Sequence, residues 1–295
     1  MSSLPKIIVV GASGYIGKAT LSALVSRHGK DVQVYAGVRD PVKFGDMEGV
    51  TAVKADMSDK DALSKALKDG VYDRAFLVIP GHADRTKLGL NGLEAAKEAG
   101  IKHVLLLSVL TAETDTIFGH QFKPLEDAVK NLGIGYTIVR LPLFMDNNYA
   151  HVGSIKEQNT FYSPQDPEQK HTPVAVADVG KASADILATP NKHEGKTYKL
   201  VSPSFTLNDL SVEFTKALKK EITVTTVPYD AAKEAFMGLG FPEWQTDGIL
   251  ELYKLIDSKS DITNEVEDAG DIEKITGEKP TTVQAWCEMN AAGFQ

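Results

Sequence analysis

The sequence predicts an α/β fold: a doubly wound parallel sheet with helices on both faces, followed by a smaller α+β C-terminal region. Two observations carry this expectation. Through the first half of the 295 residues, short and nearly continuous apolar, β-branched runs alternate with helical patterns. Runs of that kind suit strands buried on both faces of a parallel sheet, and the alternation means βαβ units with right-handed crossovers. The break in this rhythm after about Pro142 sets the expected boundary, with residues 1–145 as one unit and 146–295 as a second that interleaves with it.

The strands are expected at 6–10, 32–38, 51–54, 75–79, 103–108 and 136–140. Between them, residues 15–28 put Ile16, Ala19, Ala23 and Leu24 near one helical face. Residues 59–68 do the same with Ala62, Leu63, Ala66 and Leu67, and Ser58 or Asp59 offers an N-cap. Helices at 88–99 and 124–132 end at Gly100 and Gly133, residues that readily take the left-handed C-cap conformation. Further on, 147–169 is polar and reads as an irregular lid, and 174–187 as a helix. A short strand follows at 198–201, then a helix over 206–218 with Thr206 and Asp209 resembling a capping box. Residues 222–227 alternate as a strand, and 231–237, 244–256 and 282–290 read as helices. The acidic stretch 257–277 reads as solvated surface.

Composition narrows the function classes. At 42% hydrophobic and 24% charged, the chain carries enough apolar material for a sizeable core. A net charge of −8 argues against a nucleic-acid binder, which normally presents a basic surface. The single Cys287 rules out an intrachain disulfide and a cysteine-rich metal site, and is expected to pack rather than react. The seven histidines show no metal-ligand spacing, so no metal is expected. No run approaches the roughly 20 apolar residues of a bilayer span, and Ile7–Val10 is too short for a secretory signal; a cytoplasmic address is expected.

The chemistry concentrates where residues 6–10 run into Gly11-Ala12-Ser13-Gly14-Tyr15-Ile16-Gly17 and then into a helix. Gly11 permits a tight turn, Gly14 lets backbone approach a pyrophosphate, and Gly17 lets helix and strand pack closely. The helix N-terminus adds unpaired N–H groups and a partial positive charge. Strand, glycines and helix together are the context of a Rossmann-type dinucleotide site. In such a site the end of the second strand faces the adenosine ribose, here Arg39. A cation there meets the 2′-phosphate of NADP(H), and Lys43 adds a second charge, whereas Asp40 would serve NAD(H) if Arg39 points outward.

The G-x-x-G-x-x-G spacing resembles the atypical branch of the short-chain dehydrogenase/reductase superfamily. Four further stretches narrow the likeness: Gly37-Val-Arg39-Asp40-Pro41-x-Lys43, residues 94–108 ending in Leu-Leu-Leu-Ser108, residues 133–147, and Val174-Ala-Val-Ala-Asp178-Val179. Together they resemble the NmrA-like family, whose members include NADPH-dependent quinone reductases, dye reductases and NADP(H)-sensing regulators. The resemblance implies that Arg39 and Lys43 read NADPH and that Ile79 and Pro80 lie near the cofactor ribose. It also implies that Ser108, Leu143 and Phe144 lie beside the nicotinamide. Phe144, Asn147 and Tyr149 would form an acceptor wall with an apolar body and a few polar groups.

The Tyr-x-x-x-Lys pair of many short-chain relatives is missing from its helix. Its only match, Tyr229 to Lys233, falls far downstream and reads as chance. The helix that should carry the pair holds His120, a candidate proton donor, and Lys123, one position beyond the family's frequent lysine site at Phe122. Since one residue turns a helix by about 100°, whether Lys123 or Phe122 faces the nicotinamide stays open. Glu126 is expected to pair with neighbouring backbone or a cation rather than act chemically. Two functions follow. The first is hydride transfer from NADPH to a small-molecule acceptor, quinone-like or a conjugated aromatic. The alternative is a catalytically inactive NADP(H) sensor with a protein partner. Self-association as a homodimer is compatible with either.

Overall fold

The β-branched runs assemble by burying both faces. In the computed structural model, which describes residues 4–263 and 270–295, Ile7, Ile8, Val9 and Val10 are all fully buried. They form β1 (Lys6–Val10), followed by α1 (Tyr15–His28), β2 (Gln33–Val38), the single turn α2 (Pro41–Phe44) and β3 (Val50–Lys54). Then come α3 (Lys60–Gly70), β4 (Arg74–Leu77), α4 (Arg85–Glu98), β5 (His103–Val109), α5 (Ile117–Lys130) and β6 (Gly135–Leu141). The second half holds α6 (Val152–Gln158), β7 (Thr160–Ser163), α7 (Val176–Ala188), β8 (Thr197–Lys199), α8 (Leu207–Leu218) and β9 (Thr223–Thr226). It closes with α9 (Tyr229–Gly238), α10 (Glu243–Asp257), α11 (Gly270–Thr276) and α12 (Val283–Asn290).

Seven strands form one parallel sheet in the order β3-β2-β1-β4-β5-β6-β8. The chain moves outward from β1 to β3, then returns to place β4 on the other side of β1. That reversal opens a crevice beyond the carboxyl ends of β1 and β4, where ligands of open α/β sheets sit. Helices α1, α7 and α11 pack together on one face, and α3, α4 and α5 on the other. Close approach of α1 and α7 depends on Gly180, where a Cβ would lie 2.6 Å from the Ala19 carbonyl carbon.

A second core lies apart from the sheet. Met145, Phe161, Phe214, Trp286, Cys287 and Phe294 bury one another there, with the Phe214 and Phe294 rings 4.8 Å apart. A two-stranded parallel sheet of β7 and β9 flanks it. The two halves interleave: Val179, Ile186, Leu200 and Ile272 belong to the core of the large sheet although they follow residue 145. Cys287 is fully buried, and burial pushes its thiol up to about 12, which makes it unreactive.

Three sequence expectations are corrected. The stretch 147–169 is not irregular: it holds most of a 3₁₀ turn (Met145–His151), α6 and β7. Its few apolar residues, Ile155 and Phe161, bury in the second core, so tertiary packing organises a locally polar segment. The acidic stretch 257–277 contains α11, whose Ile272 is buried against the large core; residues 264–269 of that stretch lie outside the described residues. The helix expected from 124 begins at Ile117, where Thr116 accepts from the Gly119 amide, and Pro124 sits inside it. Proline forfeits one intrahelical bond there, and the flanking buried residues Phe122 and Leu125 hold the helix through it.

Candidate functional site

At the carboxyl end of β1, the three glycines meet three different demands. Gly11 has φ +85°, and a Cβ on it would fall 2.1 Å from the Val78 carbonyl oxygen. At Gly17 a Cβ would lie 2.6 Å from Ala12 Cα, so a side chain would push α1 off β1. At Gly14 the nearest atom is 3.7 Å away, which leaves open space on the side where Ser13, Gly14 and Tyr15 face solvent. The first intrahelical bond of α1 runs from the Lys18 amide to the Gly14 carbonyl, 2.9 Å, and the Gly14 amide is spent on the Gly11 carbonyl, so the amides of Tyr15, Ile16 and Gly17 are the ones left without an intrahelical partner. The cradle accepts backbone-bound anions such as a pyrophosphate.

Beyond β2, Arg39 is exposed and its guanidinium makes no ion pair among the described residues. Asp40 is committed elsewhere: its Oδ1 caps α2 by accepting from the amides of Val42 and Lys43, at 3.1 and 3.3 Å. Lys43 Nζ lies 3.8 Å from Asp40 Oδ2 at the surface. The open cation at this edge is therefore Arg39, and the acid next to it is turned into the helix start.

A cavity of about 760 Å³ opens beside the glycine loop, with Ile16 of α1 in its wall. Its floor is the exits of β4, β5 and β6: Val78 and Ile79, Ser108 and Val109, and Leu141 to Phe144. Its roof comes from the second half, including Pro164 and Pro173, Phe205, Ala232 and Phe236 of α9, and Ile249 and Tyr253 of α10. The size and the apolar lining with scattered polar groups match a small-molecule site. Phe144 is fixed in the wall by a parallel bridge to Val174.

The floor rests on a buried polar network. Glu126 of α5 is fully buried and accepts from Ser108 Oγ at 2.6 Å and from Arg140 Nε and Nη2 at 2.9 and 2.7 Å. Burial alone would raise the Glu126 carboxyl, but the bonds from Arg140 and Ser108 outweigh it and hold it below its usual range. Glu126 thus pairs with a cation, and the Ser108 hydroxyl is spent on it.

The other walls are nearly free of charge. Burial pushes His151 and His171 down to about 4, so both are neutral at neutral pH, and raises the Tyr253 phenol to about 12. The exception is Arg85 at the start of α4. It is buried with no carboxylate partner among the described residues, and burial lowers it to about 10, which still leaves it charged. It bonds Pro80 O and Gln121 Oε1 at 3.2 and 2.7 Å, and its guanidinium lies over the rings of Phe118, Phe122 and Trp244. This caged cation ties α4 to α5 and α10.

The expected site residues divide accordingly. Gly11 to Gly17, with Ala12, Ser13, Tyr15 and Ile16, form one continuous loop, and Ile79, Ser108, Leu143, Phe144 and Asn147 line the adjoining cavity. Pro80 stands at its edge through its carbonyl bond to Arg85. Tyr149 is not in the lining: its ring stacks 5.3 Å from Phe294 and its hydroxyl bonds Asn290, because the second core captures it. His120 and Lys123 also lie outside the cavity. On the continuous α5, Phe118 and Phe122 share the cavity face, so His120 is about 200° away from either and Lys123 about 100° from Phe122. His120 Nε2 instead sits 2.8 Å from Asp115 at an exposed position, and Lys123 pairs with Asp127. It is Phe122, not Lys123, that faces the cavity. Tyr229 and Lys233 serve separate partners, Asp257 and the pair Glu243 and Asp247. Residues missed in the sequence are Arg85, Thr111, Gln165 and His171. Arg85 left no signal there, because the helix was expected from Leu88 and the structure starts it one turn earlier.

The NmrA-like family pattern matches residues 4–287. The NAD(P)H azoreductase of Xenophilus azovorans is 27% identical over 293 residues, covering 98% of this chain and 99% of that protein. The NADPH-dependent quinone oxidoreductase of Escherichia coli, solved with NADPH, superposes with a TM-score of 0.81 at 26% identity, covering 96% and 99% of the two chains. A negative transcriptional regulator, NmrA, solved with NADP, superposes at 0.79 with 16% identity over 97% and 95%, a likeness of fold alone. Sheet order, glycine loop and a match along almost the whole length agree, and the chain belongs to the NmrA-like family.

Proposed function

We propose that this protein is an NADP(H)-dependent reductase that passes hydride to a planar, quinone-like or conjugated aromatic acceptor. The observation that carries the reading is continuity: the glycine loop and the apolar cavity share Ile16, so a dinucleotide on the loop would extend toward the chamber. When bound, NADPH supplies hydride from C4 of its nicotinamide. The amides of residues 15–17 would hold the pyrophosphate, and Arg39, assisted by Lys43, the 2′-phosphate. Ile79 and Pro80 would border the ribose, and Leu143 with Phe144 would back the nicotinamide. Phe144, Phe122 and the α9–α10 roof confine the acceptor against it and exclude water.

With His120 and Lys123 outside the cavity, no lysine or charged histidine among the described residues lines it, and the reduced acceptor takes its proton from solvent as it leaves the cavity. The azoreductase and quinone oxidoreductase relatives support this reading over the regulator. The test is NADPH oxidation followed by absorbance across a panel of quinones and azo dyes, alongside titration of NADPH and NADP⁺. Turnover that competes with bulky aromatic ligands supports the reductase. Tight cofactor binding without turnover across the panel would replace it with the NADP(H) sensor.

A further inference from the structure

Six buried side-chain atoms among the described residues have no hydrogen-bond partner. Three of the six, Thr111 Oγ1, Gln165 Nε2 and His171 Nδ1, belong to residues that line the same cavity. A buried polar atom left unpaired costs about 1–3 kcal/mol, so such a concentration marks a place where a ligand completes the bonding. Thr111 follows β5 on the floor. Gln165 and His171 belong to the roof segment between β7 and α7 and are 4% and 7% exposed.

The roof pair is held firmly. The Gln165 backbone N–H donates to Ser163 Oγ at 3.2 Å. His171 exchanges two backbone bonds of 3.1 Å with Phe205, whose ring meets the imidazole edge-on at 4.9 Å. The Gln165 amide nitrogen can only donate, and a neutral imidazole nitrogen can donate or accept. This combination suits neutral oxygen, and gives nothing to a purely hydrocarbon surface.

We propose that Gln165 and His171 form an oxygen-binding recess that recognises the carbonyl oxygens of the acceptor, selecting quinones over aromatic ligands of the same shape without oxygen. The proposal rests on the reductase reading for the place of the cavity, but its test does not need turnover. Full-length protein saturated with NADP⁺, which cannot reduce the ligand, is titrated with 1,4-naphthoquinone and with naphthalene. Wild type should prefer the quinone. Gln165→Met and His171→Leu should each weaken quinone binding by roughly five- to tenfold, the worth of one hydrogen bond, and leave naphthalene unchanged. Gln165→Glu, the same shape without the donor, should lose the preference as well, and His171→Gln should restore part of it. NADP⁺ affinity equal to wild type shows that each variant is folded.

An unchanged quinone-to-naphthalene ratio in Gln165→Met and Gln165→Glu, or no preference in wild type, overturns the recess. A preference that depends on Gln165 and His171 without any NADPH turnover would instead leave the recess standing and overturn the reductase reading.

Discussion

On the proposed reading, the glycine-loop end and the roofed cavity recognise ligands by opposite means. The loop uses backbone amides, a positive φ and an exposed arginine, and all its parts come from two consecutive βα units. The cavity uses side chains gathered from positions as distant as Ile16 and Thr263, and apart from the caged Arg85 its polarity comes from neutral groups, among them His151 and His171, which burial keeps uncharged. The first design suits a fixed, multiply charged ligand; the second suits a neutral ligand whose identity can vary. The teaching is that backbone recognition tolerates little substitution, whereas the cavity can be retuned one residue at a time.

Substitutions sharpen this contrast in graded steps. Gly11→Ala should have the largest effect: it forces a Cβ to 2.1 Å from the Val78 oxygen at φ +85°. The cost should be about 3 kcal/mol or more, with NADPH binding lost, as read by denaturant unfolding and titration. Glu126→Gln breaks the network beneath the cavity floor and should cost about 3 kcal/mol, because it removes the buried partner of Arg140 and leaves that cation only the exposed Glu113. Because the Glu126 carboxyl is held below its unfolded value, its stabilisation is complete above the ordinary carboxylate range and is lost as pH falls through the folded value. Wild type should therefore lose more stability than the variant on acidification, measured as the unfolding midpoint against pH.

Arg39→Ala should weaken NADPH binding by about ten- to a hundredfold, the value of charge-assisted bonds, and leave NADH nearly unaffected. Equal loss for both cofactors would show that Arg39 does not read the 2′-phosphate. Phe236→Ala, in the cavity roof, should raise the KM for a quinone by about tenfold and leave the Kd of NADPH unchanged, which separates the two ends directly. Smallest of all, His120→Ala and Lys123→Ala should each change kcat and stability by less than about twofold, because both make only exposed ion pairs. A large kcat loss in either would return that residue to the chemistry.

How much of this was legible in the sequence follows from the range of the interactions. The six strands of the first half and the glycine loop are written in contiguous residues, and each appears within a few positions of where it was expected. Arg39 was readable because a strand end has a fixed relation to the loop. The face of α5 was not, since Pro124 suggested a later start and only the continuous helix from Ile117 settles that Phe122 turns inward. Tyr149 looked like an acceptor residue by proximity to Phe144, yet Phe294, far away in sequence, claims its ring.

The sequence by itself determined the sheet, the crossover rhythm and the anion cradle, because β-branched runs and glycines act locally through backbone sterics and burial. Tertiary structure alone decided the cavity. The roof residues Gln165, His171, Phe236 and Tyr253 carry no local pattern that unites them, and Arg85 is seen to lack a carboxylate partner only when its neighbours are in place. Side-chain recognition depends on which distant segments share a surface, and that is settled when the second core folds over the carboxyl ends of the strands.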